Sequence, residues 1–196
     1  AHLYLKNNRS LTRATGQVQT LGGEQVGEAF EVEIPRRADK VTLTTSTDNP
    51  ETWTPEFPNR YQVVFSVYDK NGKVHEVTEK FGFRTVELRP QDGFYVNGVK
   101  VRMKGVNRHS AWPESGRTTS RELSIIDVNL MKEMNMNAVR MSHYPPDKHF
   151  LEVCDSIGLF VLDELTGWQD AYDTIVGEKL VKELVIRDVN QPSVVM

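Results

Sequence analysis

An all-β sandwich of immunoglobulin type, followed by an α/β segment that opens a (β/α)8 TIM barrel, is the fold class this sequence predicts. Three observations predict it. Residues 1–88 hold recurrent β-forming runs divided by turn residues, with no helical period. From residue 89 onward strands and helices alternate. In that second part three apolar runs end in polar or aromatic clusters: Val101 to Val106 leads into Asn107-Arg108-His109, Val139 to Met141 into Ser142-His143-Tyr144, and Leu159 to Leu162 into Asp163-Glu164. A parallel α/β sheet carries its sites at that carboxyl edge. The expected domains are therefore 1–88 and 89–196.

Composition sets the outer bounds. With 196 residues, 38% hydrophobic and 26% charged, the chain has material for one domain or two small ones. A net charge of −3 gives no basic surplus for a nucleic-acid partner. No apolar run approaches the roughly 20 residues a membrane helix needs, and Ala1 opens no charged-then-apolar leader. Cys154 stands alone, which excludes an internal disulfide and leaves the compartment open. It reads as a small buried helix residue.

In the first domain Ala29 to Ile34, Lys40 to Thr45, Tyr61 to Tyr68 and Val74 to Phe83 are rich in Val, Thr, Tyr and Phe with near-alternating polarity, as half-buried strands require. Asp69-Lys70-Asn71-Gly72 suits a hairpin, because Asn and Gly accept positive φ. Asp48 to Asn59 carries Pro50, Pro55 and Pro58 and is expected to be an irregular connection. His2 and His75 read as surface histidines.

In the second domain Asn97-Gly98 turns a hairpin that feeds the first of the three strands. Thr119-Ser120-Arg121-Glu122 has capping-box spacing ahead of Leu123, Ile126, Leu130, Met131 and Met134 at helical intervals, the two methionines serving as core filling. Asp147 can cap a second helix bearing Phe150, Leu151, Val153, Cys154 and Ile157, which Gly158 would stop. Leu180, Val181, Leu184 and Val185 place a third helix, and Ser193 to Met196 reads as the opening of a fourth strand. Right-handed crossovers make this βαβαβαβ unit parallel. The phosphate-binding glycine fingerprint of doubly wound sheets is absent after strand one, so a barrel fits better. A barrel of about 250 residues has only part of its length in the 108 residues from 89 to 196.

Asp163 and Glu164 are adjacent in a strand and point to opposite faces, so they cannot flank one sugar as a catalytic pair. A metal hydrolase on His109, His143 and a carboxylate lacks the usual His-x-His or His-Glu-x-x-His spacing. Ser142 has no Gly-x-Ser-x-Gly context. What remains is a binding edge: Arg140 to hold a carboxylate ionised, His109 and His143 to bond hydroxyls, and Trp112, Tyr144 and Trp168 to offer faces to a sugar ring. His149, inside the second helix, is assigned to structure.

Five ordered stretches, Phe81 to Thr85, Lys104 to His109, Asn137 to Pro145, Gly158 to Glu164 and Arg187 to Ser193, resemble the family 2 glycoside hydrolases, the group of β-galactosidases, β-glucuronidases and β-mannosidases. The resemblance implies a retaining exo-β-glycosidase acting on terminal β-linked sugars, a β-galactosidase before the others. Its acid/base would lie in an Asn-Glu pair just after strand four and its nucleophile on a later strand. Neither position falls within the sequence, so no catalytic residue is expected here and the chain alone is expected to be inactive. Carried over by motif, His109 and His143 would contact glycone hydroxyls and Arg140 would sit beside the nucleophile. The candidate substrate-binding residues are His109, Arg140, His143, Asp163, Glu164 and Trp168. Magnesium-binding members carry a Glu-x-His pair where Trp168-Gln169-Asp170 stands here, so no metal or other cofactor is expected. The rival reading is a non-catalytic carbohydrate-binding or adaptor module. The expected partner is carbohydrate, with no nucleic acid and no membrane, and an open half-barrel is expected to self-associate.

Overall fold

The computed structural model describes residues 1–6, 8–167 and 171–196. They form two compact units, Ala1–Glu51 with Arg60–Phe81, and Thr52–Asn59 with Gly82–Met196.

The first unit is an antiparallel sandwich built from β1 (His2–Tyr4), β2 (Leu11–Thr20), β3 (Phe30–Glu33), β4 (Lys40–Thr42), β5 (Tyr61–Asp69) and β6 (Gly72–Phe81). One sheet has the order β3-β2-β5-β6 and the other pairs β1 with β4. Ala14, Ile34, Val41, Leu43 and Val67 form its core. Asp69 closes the β5–β6 turn by accepting the Asn71 and Gly72 amides at 2.7 and 3.1 Å. Strand β2 is an addition to the sequence expectation. Its inward positions Ala14 and Gly16 are too small to mark a strand, and at Gly16 that smallness has a cause. The Phe30 ring lies over Gly16, where a Cβ would stand 2.4 Å from Cζ. The same ring meets Phe65 edge to face at 6.5 Å.

The second unit opens with the antiparallel strands β7 (Val86–Arg89), β8 (Gly93–Val96) and β9 (Val99–Val101). Asn97 and Gly98 take φ of 50° and 76°, the two positive values a type I′ turn demands. Then come β10 (Gly105–Arg108), α1 (Arg121–Glu133), β11 (Ala138–Met141), α2 (Lys148–Ile157), β12 (Phe160–Leu162) and α3 (Thr174–Asp188). Strands β10, β11 and β12 are parallel neighbours in chain order. The expected fourth strand opens beside β12: Val161 N–H donates to Ser193 O, Val195 N–H to Val161 O, and Asp163 N–H to Met196 O at 2.7 to 3.1 Å. Arg84 bonds the Pro192 and Val194 carbonyls, so the first and last of the five stretches quoted above meet.

Strand parity sorts the side chains onto two faces. Val139, Met141, Leu159 and Val161 pack with Val128 and Met131 of α1 and Phe150, Leu151 and Cys154 of α2. The opposite parity, Ala138 and Phe160 with Leu162, packs on Val96 and Trp53. Trp53 comes from the proline-rich connection. That segment is irregular as expected, yet its indole is fully buried and donates Nε1–H to Asp155 O at 2.9 Å. Lys132 Nζ bonds both Pro55 O and Gly158 O. Gly158 stops α2 at φ 90°, and a Cβ there would lie 2.1 Å from Pro55 O, so both backbone sign and space demand glycine.

Three local expectations shift. The cap of α1 is Ser120, whose Oγ accepts from Leu123 N–H at 3.3 Å, one residue later than the capping-box spacing. Thr119 is drawn away to donate to Asp147 Oδ2, which in turn makes no cap bond to α2. Met131 fills the core, but Met134, at the end of α1, is about half exposed. Helix α3 forms with only a narrow stripe inward, Leu180, Leu184 and Asp188, while Ile175 is 79% exposed.

Candidate functional site at the carboxyl edge of the parallel strands

The register sets Asn107 beside Arg140 and Arg140 beside Leu162. Asn107 and Arg140 therefore share the face turned away from α1 and α2. Two residues further, the same parity yields His109 beyond β10 and Glu164 beyond β12. Side-chain contacts follow from this alignment. Arg140 donates Nη1–H to Asn107 Oδ1 at 3.3 Å and pairs through Nε with Glu164 Oε2 at 2.8 Å. The other carboxylate oxygen, Oε1, lies 2.9 Å from His143 Nδ1. The His109 ring stands edge-on to His143 at 5.4 Å and 6.0 Å from Tyr144. Tyr144 is itself fixed, its hydroxyl accepting the Ser110 N–H at 3.0 Å and its ring lying under the Arg117 guanidinium at 4.3 Å. The Ser142–His143 peptide bond is cis.

Four of the six sequence candidates, His109, Arg140, His143 and Glu164, thus come together. Their side chains remain reachable: Arg140 is 42% exposed, Glu164 21% and His143 18%. A carboxylate held between a guanidinium and an imidazole presents a fixed set of polar groups to a polyhydroxylated ligand.

Asp163 points the other way. Its side chain is 6% exposed, with Oδ2 at 3.9 Å from Arg187 Nη2 at the end of α3. Arg187 pairs tightly with Asp188 at 2.6 Å. Burial, together with the Asp188 carboxylate, pushes the Asp163 carboxyl up to about 7, against the opposing pull of Arg187. Its Oδ1 accepts the Glu164 N–H at 2.9 Å, so it grips the backbone of the residue that faces the site. Trp168 lies outside the described residues, as do Gln169 and Asp170. Trp112 lines an open groove of about 470 Å³ along β10 with His109 and Met134. Among the described residues no three His, Cys, Asp or Glu side chains converge as a metal site.

Asn107 joins this face although it is not among the sequence candidates. The signal was available: it shares strand parity with His109 and stands two residues before it, as Arg140 stands two before Ser142. Asp188 and Arg187 left no such signal, because their nearness to Asp163 depends on where α3 ends.

Comparison with known proteins agrees with this architecture. Residues 3–84 match the family description "Glycosyl hydrolases family 2", and residues 86–196 match "Glycosyl hydrolases family 2, TIM barrel domain". A β-galactosidase of Thermoanaerobacter pseudethanolicus is 35% identical over 84% of this chain and 23% of its own length. A putative β-glucuronidase of Formosa agariphila is 31% identical over 97% of this chain and 18% of its own length. Among solved structures, a β-glycosidase from Bacteroides vulgatus superposes with a TM-score of 0.83 at 25% identity, covering 99% of this chain and 28% of that one. A Bacteroides uniformis β-glucuronidase gives 0.85 at 25% identity, over 98% and 24%. The chain spans about a fifth of the length of the curated relatives it matches.

Proposed function

This chain belongs to the family 2 glycosyl hydrolases, and from that premise we propose that it supplies the immunoglobulin-like domain and the leading barrel strands of a retaining exo-β-glycosidase, with a terminal β-galactoside as substrate. The observation that carries this reading is the convergence of Arg140, His143 and Glu164, with His109 beside them, at the carboxyl ends of three adjacent parallel strands. That edge is where barrel enzymes act. Several of the similar curated proteins bear the name β-galactosidase, which favours galactose over glucuronic acid.

In this reading His109 and His143 bond glycone hydroxyls and Arg140 draws a carboxylate toward the anomeric centre. Asp163 contributes from behind through the Glu164 backbone. Hydrolysis with retention needs two carboxyl groups about 5–5.5 Å apart on either side of the bond. Asp163 and Glu164 face opposite ways, and both Glu164 oxygens are engaged. The 196-residue chain is therefore expected to bind a β-galactoside and leave it uncleaved. Calorimetric titration with methyl β-galactoside and methyl β-glucuronide, beside a nitrophenyl-glycoside assay, tests this. Tighter binding of the glucuronide would overturn the substrate, and binding of neither would overturn the reading of the edge as a sugar site.

A further inference from the structure

We infer that Asn107 is a positioning residue, one that acts through Arg140 by fixing how its guanidinium lies before any ligand arrives. The inference takes its ligand class from the proposed glycosidase reading, but its geometry stands on this chain. Arg140 is on the middle strand of three, with Asn107 beside it on β10 and Leu162 beside it on β12. Its guanidinium is met from both flanks. Nε pairs with Glu164 Oε2 at 2.8 Å, from just beyond β12, and Nη1 donates to Asn107 Oδ1 at 3.3 Å, from β10. A guanidinium can only donate, so it is the Asn107 oxygen and not its amide nitrogen that must face Arg140.

The two partners constrain different motions. Nε lies on the axis about which the end of the guanidinium turns, so the ion pair at Nε survives a half-turn that exchanges Nη1 with Nη2. The hydrogen bond to Asn107 lies off that axis and breaks during the turn. Glu164 therefore anchors the group, and Asn107 stops it turning. With the plane set in this way, 42% of the Arg140 side chain still stays exposed, and a planar guanidinium meets a carboxylate best with two parallel N–H groups. Residue type matters as much as place. An aspartate at position 107 would give Arg140 a second anionic partner beside Glu164 and weaken its pull on a further carboxylate; asparagine offers the same acceptor with no charge, so the guanidinium is oriented without being neutralised.

Nitrogen-15 NMR of the arginine side chains in the intact 196-residue chain tests this by timing the exchange of Nη1 with Nη2 through rotation about the Nε–Cζ bond. Arg140→Lys assigns the signal, and the exposed Arg36 serves as reference. Wild-type Arg140 is expected to exchange more slowly than Arg36. Asn107→Leu, similar in size but unable to accept, is expected to speed the exchange roughly five-fold, the order of one solvent-exposed hydrogen bond, while Asn107→Asp keeps it slow. Wild-type Arg140 that exchanges as fast as Arg36 overturns the inference whether or not a variant folds. So does an unchanged rate in folded Asn107→Leu, or a rate in folded Asn107→Asp as high as in the leucine variant. The substrate reading is separable: slow exchange that Asn107→Leu releases, in a chain that binds no methyl β-galactoside, supports the positioning role and sinks the galactoside.

Discussion

Among the described residues the ion pairs of the first unit lie at the surface, while the second unit, besides surface pairs such as Lys100–Asp92, has pairs with a buried partner. Arg13 and Glu31 pair at 2.9 Å with 46% and 61% of their side chains exposed, whereas Arg108 and Asp127 pair at 2.7 Å with 5% and 25% exposed. Among the described residues Ser66 is the one buried polar side chain of the sandwich unit, while Arg108, Asp155, Asp188 and Gln191 are among those buried in the barrel unit. Buried polar groups cost free energy unless each finds a partner. A unit that keeps them uses them to hold something in place, and here they brace strands whose ends carry the site. The sandwich, with an apolar core and solvated charges, has no such obligation.

Substitutions can break or sharpen this contrast. The largest effect is expected from Trp53→Ala, which empties a fully buried position and removes the indole N–H that bonds Asp155 O. A loss of about 3–5 kcal/mol is expected, confined to the barrel unit. Denaturant unfolding followed by residue-resolved hydrogen exchange should show β10–β12 weakened and β2, β5 and β6 unchanged; equal weakening of both would mean the units do not behave separately. Next comes Asp127→Ala, which strands the Arg108 guanidinium beside Phe150. About 2–3 kcal/mol is expected, less than for a fully enclosed pair because Asp127 keeps a quarter of its side chain in water.

A smaller effect, spread over pH, belongs to Asp163. Its folded carboxyl titrates at about 7 and an unfolded aspartate near 3.8, so the folded chain holds the proton more tightly. The resulting stability is fully present below about pH 4, falls as pH rises, and is gone once pH passes about 7. Asp163→Asn should flatten that decline; a decline of undiminished slope in the variant would assign it to another group. The smallest effect is expected from Glu31→Gln in the sandwich, within about 0.5 kcal/mol in thermal or urea unfolding and smaller still at high salt. A larger cost there would erase the distinction between the units.

Where the chain's own period carries information, the sequence could be read. The hairpins at Asn71-Gly72 and Asn97-Gly98, the Gly158 stop of α2 and the apolar face of α2 lie where residue type and spacing put them, because each depends on φ preference or on neighbours within a few positions. Strand β2 is not marked by its residue types because its inward side includes Ala14 and Gly16, the latter kept small by the Phe30 ring on the neighbouring strand. The first cap moved by one residue because Asp147, 28 positions away, competes for Thr119. In the site, the groups ending each strand were legible as chemistry. Their partnerships were not: nothing local says that Glu164 faces Arg140 and His143 while Asp163 turns to Arg187 and Asp188.

The sequence by itself determined the sandwich-then-barrel order, the three strands with polar ends and the family to which they belong, because periodicity and motif order are written along one chain. Tertiary structure alone decided that Trp53 belongs to the barrel unit's core, that Asn107 stands beside Arg140, and which of two adjacent carboxylates meets the site. Those outcomes depend on strand register and on distances between residues far apart in sequence, and a register shift of one residue would have reversed every face.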